Sequence, residues 1–435
     1  MKRRFLFVLA VIVLAGLFPG PAALAFLGDS DKAFGLSGSV RGIFLYADPY
    51  DFPAFFGWSG DDDTRASAIA RLAAAGRPSE RLSYELHLVT AYDYFSTAGG
   101  GFFAQGAVKP HYRIGDETRD IGGNDHNQSS LWLDRANVKA AFGSFDLTAG
   151  RQAVTFGKAW FWNPLDVFYH FDSRQFDRDY KPGVDALRLE VPFSRFSGAT
   201  LVAALGRRTL ADGSYETKPA TDADWYGSAL IGRLYATLSG FDMVLMGGKV
   251  YGGGLLGGGA TGELGPLAVR FEAAYFFVDG DSASLPWPLS GSLYADRVTG
   301  VLGMGRRFEN SLDIELEYLY DSGGASSEGD WNAALARYQA QALLQLSNHM
   351  LGFTVSYDVS PLATGRVAVM QSLSRGISTN ISPSLTVSLS DNAEAVFGAS
   401  LNFGPRPVLV MGLPVIQSEF GTFPSQFYVE IKQYF

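Results

Sequence analysis

Cysteine is absent from all 435 residues. Disulfides, thiolate metal sites and covalently attached haem are therefore excluded. Histidine is scarce. The only five are His87, His111, His126, His170 and His349, and none stands in the His-Glu-x-x-His spacing of a zinc hydrolase. Positive charge is in deficit, with a formal net charge of −9, which argues against a nucleic-acid binder. After Phe18 no apolar run is long enough for a membrane helix. The glycine-rich stretch 252–259 lacks the Lys-Ser/Thr that completes a phosphate loop. No cofactor and no metal site is expected, and no residue is expected to perform catalysis.

What is present begins at the N-terminus. Lys2, Arg3 and Arg4 precede an apolar run from Leu6 to Phe18, and Ala23-Leu24-Ala25 follows as a small-x-small site. This order predicts a cleaved signal peptide over 1–25 and an exported chain. No cysteine follows the site, so no lipid anchor is expected. Loss of the three basic residues takes the formal charge from −9 to −12.

Beyond residue 33 the dominant signal is alternation. Leu82, Tyr84, Leu86 and Leu88 alternate with Ser83, Glu85 and His87. Leu267, Val269, Phe271, Ala273, Tyr275 and Phe277 alternate with Arg270, Glu272 and Ala274. Leu312, Ile314, Leu316, Tyr318 and Tyr320 alternate with Asp313, Glu315 and Glu317, and Leu351 to Val359 repeats the pattern. Such runs have the length of a tilted strand that shows one face to lipid and the other to water. A near-neutral mean hydropathy of +0.05 is compatible with this. Alternation also predicts Arg41, Lys249, Arg366, Glu430 and Lys432 as inward charges.

Turn residues divide the chain. Short links are expected at 76–79, 143–144, 194–197, 239–240, 264–266, 308–311, 360–363 and 390–392. Longer or opposite-end loops are expected near 48–62, 96–128, 157–182, 209–224, 251–253, 279–294, 322–348, 375–380 and 404–424. Eight links of one kind and nine of the other give 18 strands, with 16 the nearest alternative. The expected fold is all-β: a transmembrane antiparallel up-and-down β-barrel over 26–435, without an N-terminal plug of the TonB-dependent type. A short helix is expected within Trp331–Leu346, which is rich in Ala, Leu and Gln. Asp61-Asp62-Asp63 and Asp279-Gly280-Asp281 read as acidic outer loops.

Residues 425–435 alternate as well. Phe427, Val429, Ile431 and Phe435 share one face, Glu430 and Lys432 the other, and the chain stops on Phe. This ending resembles the C-terminal signal read by the outer-membrane barrel-assembly machinery. A second resemblance is internal: Leu133-Asp134-Arg135-Ala136, Gly150-Arg151-Gln152, Asn163-Pro164-Leu165-Asp166 and Pro182-Gly183-Val184-Asp185 resemble motifs of Gram-negative outer-membrane porins, including alginate-export-like barrels. The match covers about 130–193 and, more weakly, Glu317 to Tyr320 and the last strand. The resemblance implies that the loop near 157–182 folds inward and narrows a pore. That loop holds Lys158, Asp166, Asp172, Arg174, Asp177, Arg178, Asp179 and Lys181 beside Trp160, Trp162, Phe168, Tyr169 and Phe171. With Arg135, Lys139, Arg151, Arg188, Arg270, Glu272, Glu315 and Glu317 from the strands, it supplies the expected constriction and pore lining. Strict alternation from Phe145 puts Arg151 toward lipid, so a bulge at Gly150 is expected to turn it toward Asp134 or Asp185.

The expected function is passive diffusion of small hydrophilic solutes or ions through a water-filled lumen. Outer-membrane lipid and lipopolysaccharide are the expected surroundings. Two alternatives are a barrel sheathing partner cytochromes and an exporter of an anionic polysaccharide.

Overall fold

In the computed structural model the described residues are 27–28, 32–52, 58–59, 61–104, 111–115, 118–174, 178–207, 223–278, 284–285, 289 and 291–435. Eighteen long strands follow the chain. They are β1 (Gly35–Asp48), β2 (Asp63–Ser79), β3 (Leu82–Phe95), β4 (Asn127–Ala141), β5 (Asp146–Gln152), β6 (Val184–Ser194), β7 (Ser197–Ala204), β8 (Ala229–Leu238) and β9 (Phe241–Val250), then β10 (Gly253–Leu264), β11 (Leu267–Val278), β12 (Arg297–Arg307), β13 (Asp313–Asp321), β14 (His349–Ser360), β15 (Ala363–Ser372), β16 (Ser378–Ser390), β17 (Ala393–Phe403) and β18 (Ser425–Tyr434). Each pairs antiparallel with its sequence neighbour, and β18 pairs with β1 from Ser425–Asp48 to Tyr434–Ser39. The sheet is thus a closed transmembrane barrel without a free edge, the arrangement that satisfies every strand amide in lipid. Both the count of eighteen and the division into short links and longer loops agree with the sequence pattern. The expected signal peptide over 1–25, most of the 209–224 loop, Asp177 and Asp279-Gly280-Asp281 lie outside the described residues.

The two faces of the wall differ as alternation requires. On β11, Phe271 is 48% exposed on the outside, while its neighbour Glu272 is 3% exposed within. On β13, Tyr318 and Tyr320 face outward and Glu315, Glu317 and Leu319 are buried. An apolar exterior of this kind belongs in acyl chains. In β18, Phe427 is outward and exposed, whereas Glu430 and Lys432 are buried. The Phe435 amide donates to the Gly38 carbonyl (3.0 Å), and its own carbonyl accepts from Gly38 (2.8 Å).

The short helix expected within Trp331–Leu346 is present, and one local expectation, for Asp63, needs correction. The helix α1 covers only Trp331–Gln339. At Gln341 φ is 60°, and the chain turns so that Leu343 and Leu346 bury with Trp331, Leu335 and Ile416. Tertiary burial here outweighs helix propensity. Asp63 is not a loop residue. It begins β2 and accepts from the Ser96 hydroxyl (2.9 Å) and the Phe102 amide (2.8 Å), tying down the turn 98–104.

The register makes a direct prediction for a chain with no native cysteine. In proteoliposomes, Glu85→Cys should react with a membrane-impermeant maleimide, and Leu86→Cys should be protected. Equal labelling would contradict the assignment of the two faces.

Candidate functional site

An eighteen-stranded ring is too wide for its inward side chains to meet. Residues 153–183, between β5 and β6, enter that space. They contain no helix or strand among the described residues. At membrane depth such irregular backbone needs acceptors from the protein itself.

Two buried carboxylates supply them. Glu317 of β13 accepts from three consecutive amides: Trp160 (2.7 Å), Phe161 (2.9 Å) and Trp162 (2.9 Å). Glu272 of β11 accepts from Lys158 (2.5 Å) and Leu165 (3.4 Å). Glycines clear the way for the packing. A side-chain carbon at Gly352 of β14 would come within 2.6 Å of the Phe161 ring, and one at Gly257 of β10 within 2.7 Å of Leu165. The far end of the segment is fastened to another part of the wall. Asp179 accepts from Arg41 of β1 (2.9 Å) and Lys432 of β18 (2.6 Å). The Arg71 guanidinium of β2 lies 4.0 Å from the centre of the Tyr180 ring. Arg135 donates to the Lys181 carbonyl (2.6 Å). The segment therefore touches β10, β11, β13 and β14 with one half and β1, β2, β4 and β18 with the other.

The charges expected to line a pore mostly have partners within the protein. Lys181 and Asp166 form a buried pair. Arg174 pairs with Asp172 (2.9 Å) and lies 3.7 Å from the Phe423 ring centre, while Tyr338 of α1 donates to the same carboxylate. Arg178 donates to the Ser173 carbonyl (2.7 Å). Lys158 pairs with Asp242 (2.9 Å). Arg270 and Glu315 form a two-pronged pair at 2.7 and 3.2 Å. Lys139 and Arg188 sit with Asp146 and Glu190 near the β4–β5 and β6–β7 links, away from the segment. Asp166 and Asp172 are thus both engaged by cations, and among the described residues no cluster of His, Asp and Glu is arranged for a metal.

Arg151 is buried and clasps Asp185, with Nε to Oδ1 at 2.7 Å and a second amino group to Oδ2 at 3.0 Å. It also donates to the carbonyls of Leu133 (2.9 Å) and Gly115 (3.0 Å). The expected bulge at Gly150 is corrected. Gly150 has φ 110°, but pairing on both sides of it is unbroken. The register shift lies on β4, where His87 pairs with Arg135 and Leu88 with Leu133. The extra residue is Asp134, whose carboxylate receives Arg71 (2.7 Å) and Arg113 (3.2 Å). Nothing in the spacing of Leu-Asp-Arg-Ala distinguishes a bulge from a regular strand.

The segment fills the lumen unequally. Its Phe156, Leu165 and Phe168 pack on Val202, Ile231, Met246 and Leu255, inward residues of β7 to β10. Phe161 and Trp162 pack on Val301, Leu319 and Met350. The inner wall opposite is different in kind. Ser356, Ser382, Ser384, Thr386 and Glu394 keep partial exposure, and Arg366 is exposed. Arg366 has no carboxylate in ion-pair range among the described residues, and lies 5.7 Å from the Trp160 ring centre. Trp160 also faces Arg270 at 5.9 Å. An open, hydroxyl-rich side thus runs beside a packed apolar one.

Two loop histidines lie on the packed side. Burial holds the His111 ring at about 4 and the His170 ring at about 4, well below the usual histidine range. His111 stacks on Tyr251 with centres 4.0 Å apart.

The fold defines a class, closed eighteen-stranded membrane barrels crossed by an inward segment. No family model and no curated protein matches the chain. Solved structures do share the fold. Pseudomonas aeruginosa OccK8 (OprE) superposes with a TM-score of 0.57 at 9% identity, over 94% of this chain and 99% of that one. Acinetobacter baumannii OccAB1 gives 0.57 at 11% identity, over 92% and 96%. P. aeruginosa OpdK, solved with vanillate, gives 0.56 at 10% identity, over 94% and 100%.

Two predictions follow from the anchoring. Glu317→Ala strands three buried amides, each costing roughly 1–3 kcal/mol. The urea midpoint for unfolding from lipid vesicles should fall, and Glu317→Gln, which keeps one carbonyl acceptor, should recover part of the loss. The second concerns pH. Unfolded histidine titrates near pH ~6.5, above the folded values of about 4. The released loops therefore bind more protons between these limits, and stability falls as pH drops through that window and levels off below it. Proteolytic nicking of the loops should rise over the same range, and less so in a His111→Phe, His170→Gln double variant.

Proposed function

We propose that this chain is an outer-membrane porin, exported with a cleaved signal peptide, through which small hydrophilic solutes or ions diffuse passively. One observation carries the reading: the contrast between the two sides of the lumen. Where 153–183 packs, inward residues such as Val202 and Ile231 are 0% exposed. On the side of β15 to β17, Ser382, Ser384 and Thr386 keep partial exposure and Arg366 is exposed, while Met370, Ser372, Ser378 and Asn380 nearer the long-loop end are buried. Water and polar solutes can follow that arc, where hydroxyls replace hydration contacts.

In this reading the segment 153–183 is the constriction, and its role is sieving. Trp160, Arg178 and Asp179 form its pore-side edge, facing Arg366, Glu394 and the serines of β16. Glu272, Glu317, Arg135 and Arg151 act behind it as supports that hold the segment in place. OpdK, which shares this fold, was solved with vanillate, a small polar aromatic molecule, and that likeness supports a small-solute channel here. A sheath for cytochromes is less well supported, because a partner threaded through the barrel would need the space that 153–183 occupies. A polysaccharide exporter is likewise disfavoured by the same obstruction. The C-terminal strand, with Phe427, Val429, Ile431 and Phe435, serves as the assembly signal.

Single-channel conductance of the refolded mature protein in a planar bilayer tests this. Steady openings are expected, and deletion of residues 160–178 should enlarge them. Arg366→Glu should move the reversal potential toward cation preference, since it inverts an exposed charge beside the open side. A well-folded but silent barrel would overturn the porin reading.

A further inference from the structure

The connection between β17 and β18 carries a small hairpin, Val408–Val410 paired with Leu413–Val415. It reverses at Met411 (φ 51°) and Gly412 (φ 80°), a two-residue turn with positive φ at both positions. From Pro407 to Gln417 it has no charged side chain. Its apolar residues are unpacked: Val408, Leu409, Val410 and Leu413 are exposed, and Met411 is 99% exposed.

The base of the hairpin is firmly held. Asn332 of α1 donates to the Pro414 carbonyl (2.7 Å) and accepts from the Ile416 amide (2.8 Å). The Ser418 hydroxyl donates to the Pro405 carbonyl (2.7 Å). Ile416 and Phe420 are fully buried. The exposed tip is thus a positioned element on a packed footing.

Its place on the rim indicates what covers it. Gly404 backs onto Ser378, the first residue of β16, and Gly376 backs onto the Gln417 carbonyl. Leu373, Ile377 and Phe403, at the same ends of β15 to β17, are exposed and outward. The lipid-facing surface therefore runs up to the foot of the hairpin. Arg406 lies at that foot, 4.8 Å from the Tyr50 ring centre. An exposed arginine at the border of an apolar element can anchor it at the bilayer interface.

We propose that Val408–Val415 is a membrane anchor whose tip lies among the acyl chains of the leaflet bordering the long-loop end of the barrel. It would fix the loop 404–424 relative to the bilayer and, through Asn332, the α1 region as well.

The absence of cysteine allows a clean test. Met411→Cys, labelled with an NBD fluorophore, would be refolded into phosphatidylcholine vesicles with and without doxyl-labelled lipid. Phe397→Cys in β17 is the lipid standard and Ser326→Cys the aqueous one. The label at 411 should be blue-shifted, lose most of its intensity to doxyl lipid and resist iodide, as at 397. Iodide quenching at 411 with the standards behaving normally would overturn the anchor. So would efficient disulfide formation between copies of the unlabelled Met411→Cys variant without doxyl quenching, which would make a second chain the occupant. Iodide quenching at 397 would instead remove the wall assignment on which the anchor rests.

Discussion

A peptide segment without regular structure cannot cross the interior of a membrane barrel unless its amides find acceptors there. That constraint organises this molecule. Glu317 takes three amides in a row and Glu272 takes two, so five donors of the inward segment are met by two side chains of the wall. Each carboxylate is buried, a position tolerated because hydrogen bonds replace its lost hydration. Once 158–165 is fixed in this way, its apolar side chains have only one wall to pack on, and the open space is left on the other.

The rest of the charge pattern is secondary to that placement. Asp166 with Lys181, Asp172 with Arg174 and Arg151 with Asp185 are partnered because unpaired charge is costly where water is excluded. The segment is better described as a neutralised wedge than as a row of fixed charges across the pore. The polar character of the less filled side comes from the wall the segment leaves bare, with Arg366 and the hydroxyls of β16. If the hairpin 408–415 is a lipid anchor, the same loop system is tied at one end to the lumen and at the other to the bilayer, since Arg174 of the wedge stacks on Phe423 of the loop 404–424.

The barrel was legible in the residues because its causes are local. Alternation of period two is imposed strand by strand, and Ser239-Gly240 or Gly265-Pro266 stop a strand wherever they occur. The site was legible only in part. The residues of 157–182 stand out by composition, and Glu317 and Glu272 appear as inward carboxylates. Their acceptor role does not appear, because backbone amides leave no mark on a sequence. Arg71 and Asp134 were harder still: a one-residue bulge at Asp134 changes which charges meet, without changing residue type or spacing.

The sequence by itself determined the strand number, the two faces of the wall and the order of short and long connections, because each depends on neighbours along the chain. Only the tertiary structure decided which side of the lumen the inward segment occupies. It also decided that α1 stops at Gln339 and that Arg151 meets Asp185 and not Asp134. Those outcomes depend on contacts between strands distant in sequence, such as Glu317 with Trp160 or Asp179 with Lys432, and closure of the ring is what brings them within reach.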